Sequence, residues 1–150
     1  MTMPRQPILL ALLLAGLMGC AHGPVNVSGA LPPEVTGPTW RWVSTLTVYG
    51  ELRPDAGTYT LHFTGDNRVQ VEAGCKAGTA TLGVGDNRQL QIGTVELSRN
   101  DCPGGSSVTD EFLADLGRVR QWSVKDGDLY LGHPGDAAGL HFTPTTAATP

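Results

Sequence analysis

The sequence is poor in the positively charged residues on which several binding functions depend. It holds 10 Lys and Arg against 14 Asp and Glu, and the only lysines are Lys76 and Lys125. No run of basic residues is present to neutralise phosphates, which argues against a nucleic-acid-binding surface. The same shortage leaves no basic patch for anionic lipid headgroups.

Cysteine and histidine are also scarce. The chain has 3 cysteines and 4 histidines, and no Cys-x-x-Cys pair, so the common redox motif is absent. A zinc site needs three or four protein ligands. The only suggestive pair is His62 with His141, which occupy the same place in two Leu-His-Phe-Thr runs. We expect both on the polar faces of strands, with no metal site and no cofactor; a metal held between neighbouring strands is the alternative.

No apolar run is long enough to cross a membrane as a helix, which takes roughly 20 residues. The run Ile8–Met18 follows the positive charge of Arg5 and ends in small residues. A short run with these flanks is typical of a secretion signal. We therefore predict a signal peptide over residues 1–19, whose removal would lower the formal net charge from −4 by one, to −5.

The end of this segment, Leu17-Met18-Gly19-Cys20, resembles the bacterial lipobox. The resemblance implies that Cys20 carries lipid such as palmitate, and that these acyl chains anchor the protein to a membrane. Ala21 stands where a signal for retention in the inner membrane carries Asp, so we expect an outer-membrane lipoprotein facing the periplasm. Plain secretion with cleavage near Ala21 is the alternative.

The composition divides the rest of the chain into three parts. Residues 20–38 are rich in Pro and Gly and show no periodicity, which is typical of an extended tether. Patterned sequence occupies residues 39–143 and predicts one domain. The Thr-, Ala- and Pro-rich residues 144–150 are predicted to be a disordered tail.

Within the domain, apolar residues alternate with polar ones over short segments that turn clusters separate. In the first segment Trp40, Trp42, Leu46 and Val48 share one parity, and we expect a half-buried strand whose two indoles point into the core. Eight or nine such segments predict a mainly β fold, an antiparallel lipocalin-like β-barrel or a strongly coiled sheet.

One segment has helical spacing instead, with apolar residues at Val108, Phe112, Leu113 and Leu116. Ser107 precedes them and is predicted to cap the helix. Gly117 follows and is predicted to be its left-handed stop. We expect this helix to close one end of the barrel or to pack across an opening.

The order of several short runs is similar to that of a known family. The runs are Trp40-Arg41-Trp42, Leu61-His62-Phe63, Gly74-Cys75-Lys76-Ala77-Gly78, Leu90-Gln91-Ile92-Gly93, Cys102, Phe112-Leu113, Leu129-Tyr130-Leu131 and Leu140-His141-Phe142. Together they resemble the META domain of HslJ-like bacterial lipoproteins. The resemblance implies a lipocalin-like topology and an association with envelope stress, without an established molecular activity. Lys76 stands where the family often has Asn.

Cys75 and Cys102 remain once Cys20 is acylated. An even number of cysteines in an oxidising compartment predicts a disulfide, and a reactive thiol is the alternative. No Ser, His and acid fall at a spacing that indicates catalysis, so we expect a protein that is not an enzyme.

We therefore expect a membrane-anchored, monomeric lipoprotein that binds an envelope protein or a small ligand. A periplasmic lysozyme inhibitor is the alternative, since a net charge of −5 suits a basic lysozyme.

Overall fold

The computed structural model describes residues 29–135 and 138–145. Its elements, in order, are α1 (Pro33–Thr36), β1 (Thr39–Thr47), β2 (Gly50–Leu52), β3 (Tyr59–Thr64), β4 (Arg68–Ala73), β5 (Lys76–Val84), β6 (Leu90–Ile92), β7 (Glu96–Asn100), α2 (Ser107–Arg118), β8 (Gln121–Lys125), β9 (Asp128–Gly132) and β10 (Gly139–Thr145). The predicted signal peptide and Cys20 lie outside the described residues.

Eight strands form the wall of a nearly closed barrel, in the order β6-β5-β4-β3-β1-β10-β9-β8. Every pairing between neighbours is antiparallel. The two end strands are joined by the bonds Leu90 N–H to Arg120 O and Trp122 N–H to Arg88 O, both 3.0 Å. The prediction of an antiparallel β-barrel is confirmed.

Two short strands lie off this path: β2 pairs with β1, and β7 pairs with β5. The eight strands of the wall agree with the predicted eight or nine, and β2 and β7 bring the described strands to ten. β2 has three residues, Gly50-Glu51-Leu52, too few to show the alternation from which a strand is predicted.

The barrel interior is filled by side chains. The largest fully buried residues are Trp40, Trp42, Phe63, Phe112, Phe142, Leu61, Leu90, Leu116, Leu129, Leu131, Leu140 and Val35. They come from β1, β3, β6, β9 and β10 and from both helices, so one core joins the elements. Burial of this much aliphatic and aromatic surface is the main favourable term in the stability of the fold.

The prediction that Leu46 and Val48 share a face with the two indoles is wrong. A bulge in β1 between Trp42 and Ser44 shifts the pairing with β10, and the extra residue reverses the alternation that follows it. Thr45 is buried in place of Leu46, and it accepts a 3.1 Å hydrogen bond from Trp42 Nε1. Leu46 is 52% exposed and Val48 is 78% exposed.

The predicted boundary between tether and domain, at Thr39, falls too late in the chain. The helical turn α1 buries Val35 completely, and the Val35 carbonyl accepts a 2.8 Å bond from Trp40 Nε1. Gly29 N–H bonds to Val84 O at the end of β5. The residues from Gly29 onwards therefore belong to the domain, because Pro32 and Pro33 start a helical turn rather than an extended tether.

The predicted end of the domain, at residue 143, is also too early. β10 continues to Thr145, with Pro144 opposite Trp40 and Thr145 opposite Thr39. The Thr145 hydroxyl adds a 3.0 Å bond to Thr39 O. Only residues 146–150 of the predicted tail lie outside the described residues.

Helix α2 forms where it was predicted, but both of its predicted ends are displaced. The cap is Ser106, whose hydroxyl accepts a 3.2 Å bond from Thr109 N–H, one residue before the predicted Ser107. Gly117 is helical, and the chain leaves the helix after Arg118 through an extended Val119. No left-handed residue ends this helix, so the prediction of a left-handed glycine stop was wrong.

Candidate functional site

The two cysteines that the sequence analysis paired are joined in a disulfide. Cys75 lies in the turn between β4 and β5, Cys102 follows β7, and their Cα atoms are 5.1 Å apart. The backbone of Asp101 donates a 3.0 Å bond to Cys75 O. The disulfide therefore closes the end of the β5–β7 ladder, and neither sulfur is available as a reactive thiol.

His62 and His141 do not meet. His62 lies on β3 opposite Thr39, whereas His141 lies on β10 opposite Ser44. The two strands flank β1 on opposite sides, and the positions differ by about 16 Å along β1 alone. Across residues 29–135 and 138–145, no group of three or more His, Cys, Asp or Glu residues is placed to hold a metal ion.

Lys76, the departure from the family pattern, ties the barrel to α2. Its Nζ donates to Asp110 Oδ1 at 2.7 Å, across the junction between β5 and the first turn of the helix. The lysine side chain is 18% exposed and the carboxylate 61% exposed. We assign Lys76 a structural role. The first turn of a helix favours a negative charge such as that of Asp110, and the Lys76 ammonium pairs with this carboxylate and so holds the helix on the barrel.

A polar cluster beside this pair fixes the start of α2. The Tyr59 hydroxyl lies 2.9 Å from both Asp55 Oδ1 and Thr109 Oγ1, and Ser106 Oγ bonds Asp55 Oδ2 at 3.3 Å. The Gly57 N–H and then the Tyr59 hydroxyl hold the pKa of Asp55 below its usual value, while burial raises the pKa of Tyr59. Each member has a partner within the cluster, so it docks the helix rather than presenting free groups to a substrate.

Among the described residues, Asp115 on α2 is the one buried acid, with 1% of its surface exposed. Its Oδ1 accepts a 2.7 Å bond from Arg118, and its Oδ2 is buried without a partner. Burial, and then the neighbouring Glu111 charge, raise the pKa of Asp115, although His133 and Arg118 act in the opposite direction. Burial therefore makes Asp115 lose its proton at a higher pH in the folded chain than in the unfolded one.

This raised pKa predicts a pH dependence of stability. A pKa that is higher in the folded than in the unfolded chain contributes stability that is complete below the ordinary value of 3.8, and that is lost as pH rises through the folded value. We expect the free energy of unfolding of the wild type, relative to Asp115→Asn, to increase as pH is lowered from neutrality. Urea titrations at several pH values measure the difference. Glu96→Gln, on the exposed strand β7, is the control, and a difference that stays flat or falls with acid contradicts the assignment.

The strongest candidate for a binding site lies on the outside of the barrel, over the consecutive strands β1, β10, β9 and β8. A groove of about 570 Å³ opens there, and the side chains that line it include Leu46, Glu51, Arg88, Gln121, Tyr130 and His141. We call it the outer groove. Gly132 and Gly139 lie opposite each other on β9 and β10 and line it too, so the space between the walls is free of side chains there.

One wall of the outer groove is a rigid aromatic pair. The rings of Tyr130 and His141 stack in parallel, with centroids 4.7 Å apart and planes 1° apart. His141 Nε2 lies 2.7 Å from Asp128 Oδ2, which fixes the imidazole, and Tyr130 remains 38% exposed. The wall therefore presents a flat apolar surface with a polar rim.

Charged groups of opposite sign stand on the other walls. Glu51 on β2 has a lowered pKa, first because of the Ser44 hydroxyl and then because of Arg53, so it is ionised at neutral pH. Arg88 lies in the turn between β5 and β6, with its guanidinium carbon 5.8 Å from the centre of the Trp122 ring. The groove thus combines an aromatic wall with one anion and one cation.

Ser44 and His141 both line the outer groove, and Asp128 contacts His141, an arrangement that was not predicted from the sequence. Ser44 and His141 are directly opposite on β1 and β10. Nucleophilic catalysis needs a hydrogen bond from the hydroxyl to the imidazole, yet the Ser44 hydroxyl acts on the Glu51 carboxylate, whose pKa it lowers, and the His141 Nε2 faces Asp128. The geometry suits ligand binding better than acyl transfer.

A larger groove, of about 900 Å³, lies along residues 83–87, 89–91, 120–121 and 134–135. Glycine and polar residues dominate its lining, and no aromatic side chain is among them. Binding sites for small molecules are lined mainly by apolar and aromatic groups with a few placed polar ones. The outer groove meets that description better in spite of its smaller volume.

Sequence reasoning missed the outer groove because its residues are dispersed from position 44 to position 141. One feature of the sequence could have indicated it. In the turn that begins at Asp86, Arg88 follows Asn87, whereas Gly is the residue expected after Asn in a two-residue hairpin.

Comparisons with known proteins agree with this architecture. The model of the META domain family matches residues 33–146. The crystal structure of a DUF4847 family protein from Bacteroides vulgatus superposes with a TM-score of 0.52 at 17% identity, over 73% of this chain and 93% of that one. At this identity the likeness shows the fold alone. No curated protein matches the chain, and no helix in the part that the structure describes is long and apolar enough to cross a membrane.

Proposed function

The chain belongs to the META domain family, and from that premise we propose that it is a monomeric, lipid-anchored binding protein of the cell envelope. At the level of the family, a non-enzymatic envelope-associated role is supported. The outer groove carries the binding part of the proposal, since it joins an aromatic wall to charged groups of both signs without forming a catalytic set.

The anchor part of the proposal rests on the lipobox-like residues that end at Cys20. Gly29 is already held by the barrel, so residues 21–28 form the whole connection. They would span at most about 28 Å when extended. In this proposal the lipid holds the domain close to the periplasmic face of the outer membrane.

Replacement of Cys20 by serine tests the anchor. We expect the variant to leave the membrane fraction and to lose labelling by palmitate, because two or more acyl chains are what make such anchoring stable. Fractionation of cells and metabolic labelling measure both results. Ala21→Asp is the matched control, which should keep the lipid but move to the inner membrane of a two-membrane host. A Cys20→Ser protein that remains labelled and membrane-bound contradicts the proposal.

A pull-down from the solubilised cell envelope tests the proposed binding function. Partners from a solubilised envelope should be retained by the immobilised wild type and lost when Tyr130 is replaced by alanine, which removes the exposed face of the aromatic wall. Inhibition of lysozyme is assayed as well, because a small envelope lipoprotein of net charge −5 would also suit the role of a lysozyme inhibitor. Inhibition at micromolar protein would replace the proposed role with that one.

A further inference from the structure

We propose that the outer groove binds an acidic saccharide, and that Arg88 pairs with its carboxylate. The inference rests on the proposed binding function and names the ligand class of the same groove. Three observations support it. The turn at Arg88 has a geometry that is unfavourable for arginine. The polar side chains are spread around the groove, and the strands beneath the groove are already paired.

The turn at Arg88 stores strain that an ordinary hairpin avoids. Asn87 and Arg88 both have positive φ, 55° and 62°, and Gln89 N–H bonds to Asp86 O at 3.2 Å, which defines a type I′ turn. Asn is well suited to the first central position, but the second is one that Gly occupies without steric cost.

The chain itself provides the contrast. In the hairpin between β8 and β9 the central residues are Asp126 and Gly127, with φ of 53° and 86°, which is the expected pair for this turn. Arg88 takes the position that Gly127 has there. A residue with a Cβ is disfavoured in the left-handed region, and strain of this kind is found where function requires the side chain.

The position of the Arg88 side chain supports such a requirement. The guanidinium lies over the face of Trp122, and the Arg88 carbonyl accepts the Trp122 N–H bond that closes the barrel. Both contacts hold Arg88 at the rim of the outer groove. A guanidinium pairs with a carboxylate through two parallel hydrogen bonds, which a glycine in the same turn could not supply.

The remaining polar groups favour a saccharide over a peptide. Peptides that bind to sheets pair with an unoccupied strand edge, whereas the groove lies on the face of β1, β10, β9 and β8. The backbone groups there are paired with neighbouring strands and, on the other side of β8, Trp122 N–H is bonded to Arg88 O. The polar side chains of the groove are instead spread over all sides, at Glu51, Asn87 and Gln121. Hydroxyls around a sugar ring can reach such separated donors and acceptors, while its apolar face packs on Tyr130.

A comparison of D-glucuronate with D-glucose separates the contribution of the carboxylate from that of the sugar ring, because these sugars differ only in a carboxylate that replaces a CH₂OH group. Titrations of the full chain in detergent micelles, followed by the NMR signal of the Trp122 indole N–H, should show saturable binding of glucuronate at least tenfold tighter than that of glucose. Acetate is the third probe, and it should bind no better than glucose, since it lacks the ring.

The variant Arg88→Gly tests whether the Arg88 guanidinium binds the carboxylate of the sugar. We expect it to reduce the affinity for glucuronate to that for glucose, while the thermal midpoint rises by about 2–8 °C because the strain is relieved. Asn67→Gly, which also replaces a residue with positive φ (57°) but in the β3–β4 turn, should raise the midpoint without changing affinity.

The inference is overturned if glucose and glucuronate bind equally, if neither saturates, or if Arg88→Gly keeps the affinity of the wild type. A saccharide that fails to bind while Cys20→Ser still releases the protein from membranes removes this inference and leaves the anchor standing.

Discussion

Replacing Phe112 by alanine is expected to lower the free energy of unfolding by about 3 to 5 kcal/mol, the largest effect of a single substitution that we expect in this chain. Phe112 is fully buried and lies between three other rings. Its centroid is 4.7 Å from that of Trp42, 5.3 Å from that of Tyr59 and 6.3 Å from that of Phe142. Truncation leaves a cavity among rigid aromatic side chains that cannot collapse into it. Urea denaturation followed by circular dichroism measures the loss.

Gly117→Ala is the matched control in the same helix. Gly117 is helical and exposed, and a Cβ there would meet no atom within 4 Å. We expect the free energy of unfolding to rise by about 0.4–1 kcal/mol, because alanine restricts the unfolded chain and favours the helix. A loss of stability at Gly117 would indicate the left-handed stop that the sequence suggested. A loss below about 1 kcal/mol at Phe112 would mean that α2 is not packed into the barrel.

The regular strands could be predicted from the sequence because their ladders are uninterrupted. Tyr59, Leu61 and Phe63 alternate along β3, and all three are buried as the alternation predicts. The pattern fails where the backbone departs from regular pairing. The bulge after Trp42 exposes Leu46, and apolar alternation alone does not indicate where an extra residue is inserted.

Other features depend on contacts between distant positions. Val35 is buried because its helical turn meets Trp40 and the end of the barrel, although its Pro- and Gly-rich surroundings resemble those of a linker. The outer groove likewise brings Glu51, Arg88 and His141 together only through the strand order. Local composition carries no information about that order, so the site could not be assembled from the sequence.

Removing the Cys75–Cys102 disulfide by the double substitution to serine is expected to lower the free energy of unfolding by about 3.5 kcal/mol. The bond closes a loop with a sequence separation of 27, and in the chain-entropy model a loop of that length restricts the unfolded chain by roughly this amount. Urea denaturation of the variant, and of the wild type with and without reductant, measures the effect. The two comparisons should agree, because both remove the same cross-link.

The location of the disulfide predicts which region loosens first. All five residues of β7 are exposed, and the strand is held through its pairing with β5 and through Cys102. The start of α2 has other attachments, from Lys76 to Asp110 and from Tyr59 to Thr109. Hydrogen exchange of the double variant should therefore lose protection in β7 while the first turn of α2 keeps it. Equal loss in both segments would show that the disulfide, rather than these polar contacts, docks the helix on the barrel.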